Sequence, residues 1–248
     1  MAWYAYCITE QKAYQGENRV RKPFPIEGLR GISGAQIMAY PSGDFAVVVS
    51  EYLRSGTLQQ KAALEHAYVI SECFKLGTVL PFRFATIFDN EDCIRQAVRT
   101  NRKAFLHSVA QLRGKSEMHL RVVVPSKALP KNRLDDYALP TAVGAEYLSK
   151  LQVVAARERE QQTKARALSQ QVHKLFNPLA EDVVCKRDSA GGLTIGIAHL
   201  IENETIAKYQ TRFDAATRQL KDCELVISGP WPPFHFLPEK LKSVHGED

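Results

Sequence analysis

The sequence predicts an α+β protein with two domains, each related to the ferredoxin-like, split βαβ arrangement. Segments typical of strands and helices alternate in the second half in the order β-α-β-β-α-β, and the first half nearly repeats this order. The size also fits, because 248 residues of ordinary composition are enough for two hydrophobic cores. We place the domains at 1–115 and 116–236, and we expect 237–248 to form a flexible tail.

The second half begins with a strand and a long helix. The strand covers 117–124 and ends in β-branched residues, which favour extended backbone. The helix covers 141–176 and carries apolar residues at helical spacing near both of its ends. Its middle, 157–164, is wholly polar, so we expect this part of the helix to project beyond the core.

The remaining elements complete the split βαβ order. Two strands at 182–187 and 193–200 are separated by a glycine-containing turn, which is typical of a hairpin. The following helix has five apolar residues on one face, and Asn203 is its predicted N-cap. The last strand covers 224–228.

The first half departs from this order in one place, where a long loop replaces the first helix. This loop contains three glycines and two prolines, and we expect the glycines to provide flexibility, since their spacing does not match a dinucleotide-binding motif. In chain order the predicted elements are a strand at 3–8, the loop at 10–33, a hairpin at 35–50, a helix at 58–74, an extended apolar segment at 78–88 and a helix at 91–112.

Catalytic, cofactor-binding and metal-binding motifs are absent from the sequence. The seven histidines show no metal-ligand spacing, and no nucleophile elbow or phosphate-binding loop occurs. His66 lies within an amphipathic helix, where a structural histidine is more common than a general base. The five cysteines are scattered, as expected for reduced core thiols. We therefore expect no enzyme, no cofactor and no metal.

Charge and hydropathy bear on localisation and on binding to nucleic acid. The net charge of +6 raises the possibility of a nucleic-acid-binding module, but basic residues are interspersed with acidic ones, as in 157–160. No run of 18 apolar residues is present and the N-terminus lacks the features of a signal peptide. We expect a cytoplasmic protein that binds neither nucleic acid nor membranes.

The first distinctive segment is VLPFRFAT, residues 79–86. Pro81 favours the start or edge of a strand. Alternation would place the rings of Phe82 and Phe84 on one face and Arg83 on the other. Arg83 is then either an outward-facing residue of a core strand or the partner of a carboxylate, for which Glu117 is our candidate.

The second distinctive segment is SGPWPPFHF, residues 228–236. Its prolines restrict the backbone to an extended conformation with little entropy left to lose. The aromatic residues either cap the core of the second domain or form a rigid recognition surface for another protein. The candidate residues in this segment are Gly229, Pro230, Trp231, Pro232, Pro233 and Phe234.

These segments resemble the gas vesicle protein F/L family. The similarity rests on LPFRFATIF, the following SEMHLRV, the ending SGPWPPFHF and a histidine within ALEHAYVI, in that family's order and spacing. It extends from the opening strand WYAYCI to Phe236. Two positions depart from the family pattern. Ala85 stands where glycine is usual, and Phe234-His235 stands where Tyr-Asn is common.

The resemblance implies a cytoplasmic gas vesicle component with two domains related to the ferredoxin-like fold and no known enzymatic activity. It also implies association with the small hydrophobic shell protein, either as a minor structural component or in nucleating assembly, and with other accessory gas vesicle proteins. A nucleic-acid-binding module and a small-substrate enzyme, such as an acyl-phosphate hydrolase, are the alternatives.

Overall fold

The chain forms an α+β fold with antiparallel sheets. The computed structural model describes residues 2–11, 22–53, 58, 60–124, 143–187 and 193–238. They fall into two compact units, each with its own hydrophobic core. The first unit combines residues up to Glu117 with those from Pro230 onward, and the second is Met118–Gly229. The sequence analysis had assigned the whole of 116–236 to the second domain.

The first unit is built on an antiparallel sheet in the order β2-β3-β4-β1-β5, with β6 paired to β1. All of β1 between its end residues is buried, and both helices contact this strand. The elements are β1 (Ala2–Glu10), β2 (Phe24–Arg30), β3 (Gln36–Ser42), β4 (Phe45–Tyr52), α1 (Gln60–Leu76), β5 (Val79–Pro81), β6 (Ile87–Phe88) and α2 (Glu91–Leu112).

The hairpin and both helices of the first unit confirm the prediction. Strands β3 and β4 pair in continuous register from Ile37↔Ser50 to Ser42↔Phe45. Helix α2 spans the predicted residues, and the Asn90 side chain caps it by accepting a hydrogen bond from the Cys93 amide at 2.9 Å.

The predicted loop at 10–33 is wrong in its second part, which contains β2. Pro25 and Gly28 led to the loop prediction, but β2 lies at the sheet edge, where a residue without an N–H group is tolerated. Gly28 has φ +73°, and the pairing with β3 shifts register around it, as in a bulge. Residues 12–21 of the predicted loop lie outside the described part of the chain.

Gly31 has a packing role and does not provide the predicted flexibility. A Cβ atom at this position would lie 2.2 Å from the Tyr6 hydroxyl and 2.6 Å from the Ile37 side chain. Glycine is therefore needed for the close approach of this backbone to β1 and β3.

The second unit has the element order predicted from the sequence. Its four-stranded sheet has the order β10-β7-β9-β8, and β8 pairs with β9 in continuous register from Ala180↔Leu200 to Arg187↔Leu193. The elements are β7 (Lys115–Val124), α3 (Val143–Phe176), β8 (Ala180–Arg187), β9 (Leu193–Glu202), α4 (Ile206–Gln219) and β10 (Glu224–Trp231). The first three residues of β7 and the last two of β10 belong to the first unit.

Two predicted boundaries in the second unit are wrong. Asn203 is not the N-cap of α4, because a 3-10 turn over Asn203–Thr205 precedes the helix and Thr205 occupies the cap position. Strand β10 continues through Pro230 to Trp231 and does not end at Gly229. Pro230 is tolerated because β10 is an edge strand.

Among the side chains of the long helix that the structure describes, those in the core lie near its C-terminal end. Ala165, Val172 and Phe176 are buried in the core of the second unit. Between Gln152 and Lys164, each side chain that the structure describes is exposed, as predicted for the polar middle of the helix. The side chains of the predicted apolar stripe at 148–154 lie outside the described set.

Candidate functional site

The first motif segment forms a turn, so the predicted continuous strand over 78–88 is wrong. Strand β5 ends at Pro81, and the backbone then turns so that the amide and hydroxyl of Thr86 both donate to the Arg83 carbonyl, at 3.2 and 2.8 Å. Phe82 is buried against the Phe88 ring, with the two centroids 5.8 Å apart. Arg83, in contrast, is exposed at the turn.

The two phenylalanines of this segment do not share one face. Phe82 is buried, whereas Phe84 is 40% exposed, because the turn reverses the backbone between them. The inner edge of the Phe84 ring packs against His66, at a centroid distance of 5.8 Å and nearly perpendicular. The motif therefore buries one ring and exposes the other.

A buried chain of hydrogen bonds holds this turn on the first strand and on α1. The Ala85 amide donates to the Tyr4 hydroxyl at 3.0 Å, and that hydroxyl lies 3.0 Å from His66 Nδ1. His66 Nε2 lies 3.2 Å from the Phe82 carbonyl oxygen. A carbonyl can only accept, so Nε2 carries the proton and Nδ1 accepts from Tyr4.

The pKa values of the residues in this hydrogen-bonded network favour a structural role. Burial lowers the pKa of His66 from 6.5 to about 4, although its bond to the Phe82 carbonyl opposes the shift. Burial also raises the pKa of Tyr4, more than the Ala85 amide lowers it. Both side chains are therefore neutral near pH 7, and each has its polar atoms paired. His66 thus orients the turn through its hydrogen bonds to Tyr4 and Phe82.

Tyr6 extends the same network toward the sheet edge. Its hydroxyl accepts a hydrogen bond from the Ile32 amide at 2.9 Å and shares another with the Ser50 hydroxyl at 3.1 Å. Its ring stacks on His66, with centroids 5.6 Å apart and planes 25° from parallel. The sequence analysis did not identify Tyr4 or Tyr6 as site residues. Their alternate positions in WYAYCI were the available signal, because alternate strand residues share a face.

The second motif segment packs on the first unit and does not cap the core of the second domain. Phe234 packs against the buried cluster that includes Tyr4 and Ile70. Pro232 and Pro233 are buried, and the Phe234 amide donates to the Pro232 carbonyl at 2.8 Å, which closes a tight turn. Leu237, which we had placed in a flexible tail, is also buried.

Glu117 anchors this segment. Its carboxylate is fully buried and accepts a hydrogen bond from the His235 backbone amide at 2.9 Å. A second hydrogen bond, at 2.5 Å, joins its other oxygen to His235 Nδ1. A buried carboxylate is costly unless it is paired in this way. Glu117 thus binds His235, while its other candidate partner, Arg83, is exposed.

Each motif segment therefore presents one half-exposed aromatic ring on a fixed backbone. Phe84 is 40% exposed and Trp231 is 39% exposed. Each lies next to buried residues of its own segment, Phe82 in one case and Pro232-Pro233 in the other. Partly exposed aromatic side chains with little conformational freedom are suited to contacts with another protein.

Membrane insertion through a helix has no support in the described residues. None of the helices in those ranges combines the length and the low polarity needed to cross a bilayer.

Comparison with known proteins relates most of the chain to gas vesicle proteins. Gas vesicle protein F2 of Halobacterium salinarum is 23% identical over 217 residues, covering 86% of this chain and 84% of its own length. Gas vesicle protein L of a Streptomyces species is 25% identical over 251 residues, covering 91% and 93% of the two chains.

Two crystal structures share the fold. GvpF of Microcystis aeruginosa has a TM-score of 0.69 and 15% identity, and the match covers 96% of this chain and 99% of that one. GvpF of Anabaena has a TM-score of 0.70 and 16% identity, with coverage of 96% and 98%. The family model for gas vesicle synthesis proteins GvpL/GvpF matches residues 2–238. The chain therefore belongs to the GvpL/GvpF family of gas vesicle synthesis proteins.

Proposed function

We propose that this protein acts in gas vesicle assembly, or as a minor structural component, by binding the main hydrophobic shell protein through its first unit. Phe84 and Trp231 are the proposed anchors of this contact. The observation that carries the proposal is that both family motifs bury part of their aromatic residues and leave one ring about half exposed. Contacts with other accessory gas vesicle proteins belong to the same proposal, and no catalytic step does.

The construction of the two segments supports a docking role. Hydrogen bonds through Tyr4 and His66 hold the first turn, and the Glu117–His235 pair holds the second. Little conformational entropy is then lost when a partner covers the exposed rings. An apolar shell subunit would meet preformed, partly apolar contact points here, which fits the need to keep it from aggregating before assembly.

We also infer that both units are variants of the split βαβ arrangement. The order β10-β7-β9-β8 places the first and third strands of the second unit at the centre of its sheet, as in a ferredoxin-like fold. In the first unit, the order β3-β4-β1-β5 has the same connectivity. There, β2 stands in the chain order where the first helix of that arrangement would be.

Co-purification tests the proposed surface. The tagged chain is expressed together with the shell protein, and the shell protein retained per tagged chain is measured. We expect the double variant Phe84→Ala, Trp231→Ala to retain at least about tenfold less, because interface anchors typically contribute more than about 1 kcal/mol each. Phe234 is left unchanged, since it packs against the core.

A matched control separates this surface from apolar exposure in general. Leu106 is 39% exposed on α2 in the same unit, so Leu106→Ala removes a similar exposed group elsewhere. It should retain the shell protein like the unmodified chain. Fluorescence of Trp3, which is buried in β1, verifies that each variant is folded. Undiminished retention by the folded double variant would refute the assignment of these anchors.

A further inference from the structure

A cluster of ionisable residues in the second unit lies apart from both motif segments. Glu181 on β8 and His199 on β9 are directly opposite each other in the antiparallel pair. Glu181 Oε2 lies 3.5 Å from His199 Nε2 and 3.1 Å from Nδ1 of His173, in the last turn of α3. One carboxylate oxygen therefore faces two imidazole rings.

The cluster contains buried polar atoms that lack hydrogen bonds. His199 is 0% exposed, and its Nε2 has no hydrogen-bond partner within the described part of the chain. The same holds there for Glu181 Oε2. At 3.5 Å the two atoms interact through charge but are too far apart for an ordinary hydrogen bond. Buried polar atoms in this state are uncommon and call for a physical explanation.

The other nitrogen of His199 is firmly bound. Nδ1 lies 2.7 Å from the Tyr209 hydroxyl, which is buried in α4. Burial raises the pKa of Tyr209, so this hydroxyl keeps its proton and donates it to Nδ1. The proton of neutral His199 is then on Nε2 and points toward Glu181. His173, in contrast, is about half exposed.

We propose that His173, Glu181 and His199 form a proton-operated switch, in which Glu181 changes partner from the exposed His173 to the buried His199. While His199 is neutral, the Glu181 carboxylate stays beside His173, with its Oε2 3.1 Å from Nδ1, and this close contact keeps the last turn of α3 at the β8–β9 hairpin. When His199 takes up a proton, its Nε2 becomes charged, and the gap of 3.5 Å closes to form an ion pair. His173 is then released.

The surrounding groups are compatible with this exchange. Burial lowers the pKa of His199 to about 4, the Glu181 carboxylate opposes that shift, and the positive charge of His173 adds to it. From α4, Tyr209 faces the imidazole, while Arg212 donates to the Phe176 carbonyl at the end of α3. The Phe176 ring covers the cluster, with its centroid 5.5 Å from that of His199. Asp182, next to Glu181 on β8, is exposed.

The buried histidine of the first unit provides an internal comparison. His66 also binds a tyrosine hydroxyl through Nδ1, and burial lowers its pKa by a similar amount. Its Nε2, however, donates to the Phe82 carbonyl and faces no carboxylate. A charged His66 would therefore have no carboxylate to pair with through Nε2. For this reason His66 serves as a reference within the same chain.

The test is an NMR titration of the His199 imidazole in the full-length protein. We expect Glu181→Gln to lower the pH at which His199 is half-charged, by about one unit or more, because the favourable negative charge is lost. His173→Gln should raise this midpoint, because a repelling positive charge is removed. The opposite signs distinguish a shared carboxylate from a general loss of packing.

Asp182→Asn is the matched control, since it removes a carboxylate from the adjacent, exposed position. We expect it to leave the midpoint of His199 unchanged, and we expect all three variants to leave that of His66 unchanged. The proposal would be overturned if the His199 midpoint were the same in His173→Gln and Asp182→Asn. It would also be overturned if Glu181→Gln and His173→Gln shifted this midpoint in the same direction. His173 lies at the surface, so His173→Gln should not impair folding. This variant therefore still tests the proposal if Glu181→Gln does impair folding.

Discussion

Ala85 adopts a backbone conformation that disfavours its own side chain. Its φ is +68°, in the left-handed region, where a Cβ atom approaches the carbonyl oxygen closely. The hydrogen bond from the Ala85 amide to the Tyr4 hydroxyl holds the backbone in this conformation. The family resemblance places glycine at this position, so the structure supplies the physical reason for that preference.

Ala85→Gly should therefore stabilise the first unit. Glycine relieves the left-handed strain but adds conformational entropy to the unfolded chain. Together these effects predict a rise in the free energy of unfolding of roughly 0.5–1 kcal/mol. Urea unfolding followed by tryptophan fluorescence measures it, because both tryptophans, Trp3 and Trp231, belong to this unit. Ala67→Gly, at an exposed position within α1, should instead destabilise by about 1 kcal/mol. A lower free energy of unfolding in Ala85→Gly would contradict the conclusion that Ala85 is strained.

His66 predicts a specific dependence of stability on pH. Its pKa is about 4 in the folded state against 6.5 ordinarily, so the unfolded state binds its proton first as the pH falls. Its contribution is complete above about pH 6.5 and decreases toward pH 4, by on the order of 3 kcal/mol in total. In His66→Gln, the slope of unfolding free energy against pH should be about 1.4 kcal/mol per unit shallower near pH 5. An unchanged slope would exclude a buried neutral imidazole.

Single residues were the hardest features to predict from the sequence. His66 was interpreted as structural because it lies on an amphipathic helix. Its partner Tyr4 is 62 positions away, and nothing local in the sequence joins the two. Glu117 was proposed as the carboxylate partner of Arg83, but it binds His235, which is 118 positions away and was not foreseen as its partner.

Among the elements, helices and the central hairpins were predictable and the edge strands were not. Helix α2 follows from apolar residues at helical spacing, which is a local signal. Strand β2 and the end of β10 contain proline or glycine, which locally favour a turn. Only their position at a sheet edge, which is a tertiary feature, makes those residues acceptable.

The segment after β10 should stabilise the first unit, although it follows the second in the chain. Ending the chain at Gly229 removes the apolar contacts of Phe234 and Leu237 and leaves the buried Glu117 without His235. We expect the first unit to lose on the order of 3–6 kcal/mol, measured by Trp3 fluorescence during urea unfolding.

A chain ending at Pro238 is the control for this truncation, because it keeps every described contact of the segment. It should unfold like the full-length protein. If the chain ending at Gly229 left the Trp3 transition unchanged, the segment would not belong to the first unit.

On the scale of the whole molecule, two α+β units with separate cores account for the chain. The sequence analysis predicted two domains from the order of elements, because the first half nearly repeats the predicted strand and helix pattern of the second. The contribution of the C-terminal segment to the first unit could not be read in the same way, since it depends on contacts between residues that are distant in sequence. Both motif segments therefore belong to one unit, which is where we place partner binding.

The most direct test of this account is the amount of shell protein that the full-length chain retains when Phe84 and Trp231 are both replaced by alanine. The account predicts a loss of about tenfold or more, with Trp3 still reporting a folded first unit and Leu106→Ala retaining the normal amount. Equal retention by the double variant and the Leu106→Ala control would contradict it.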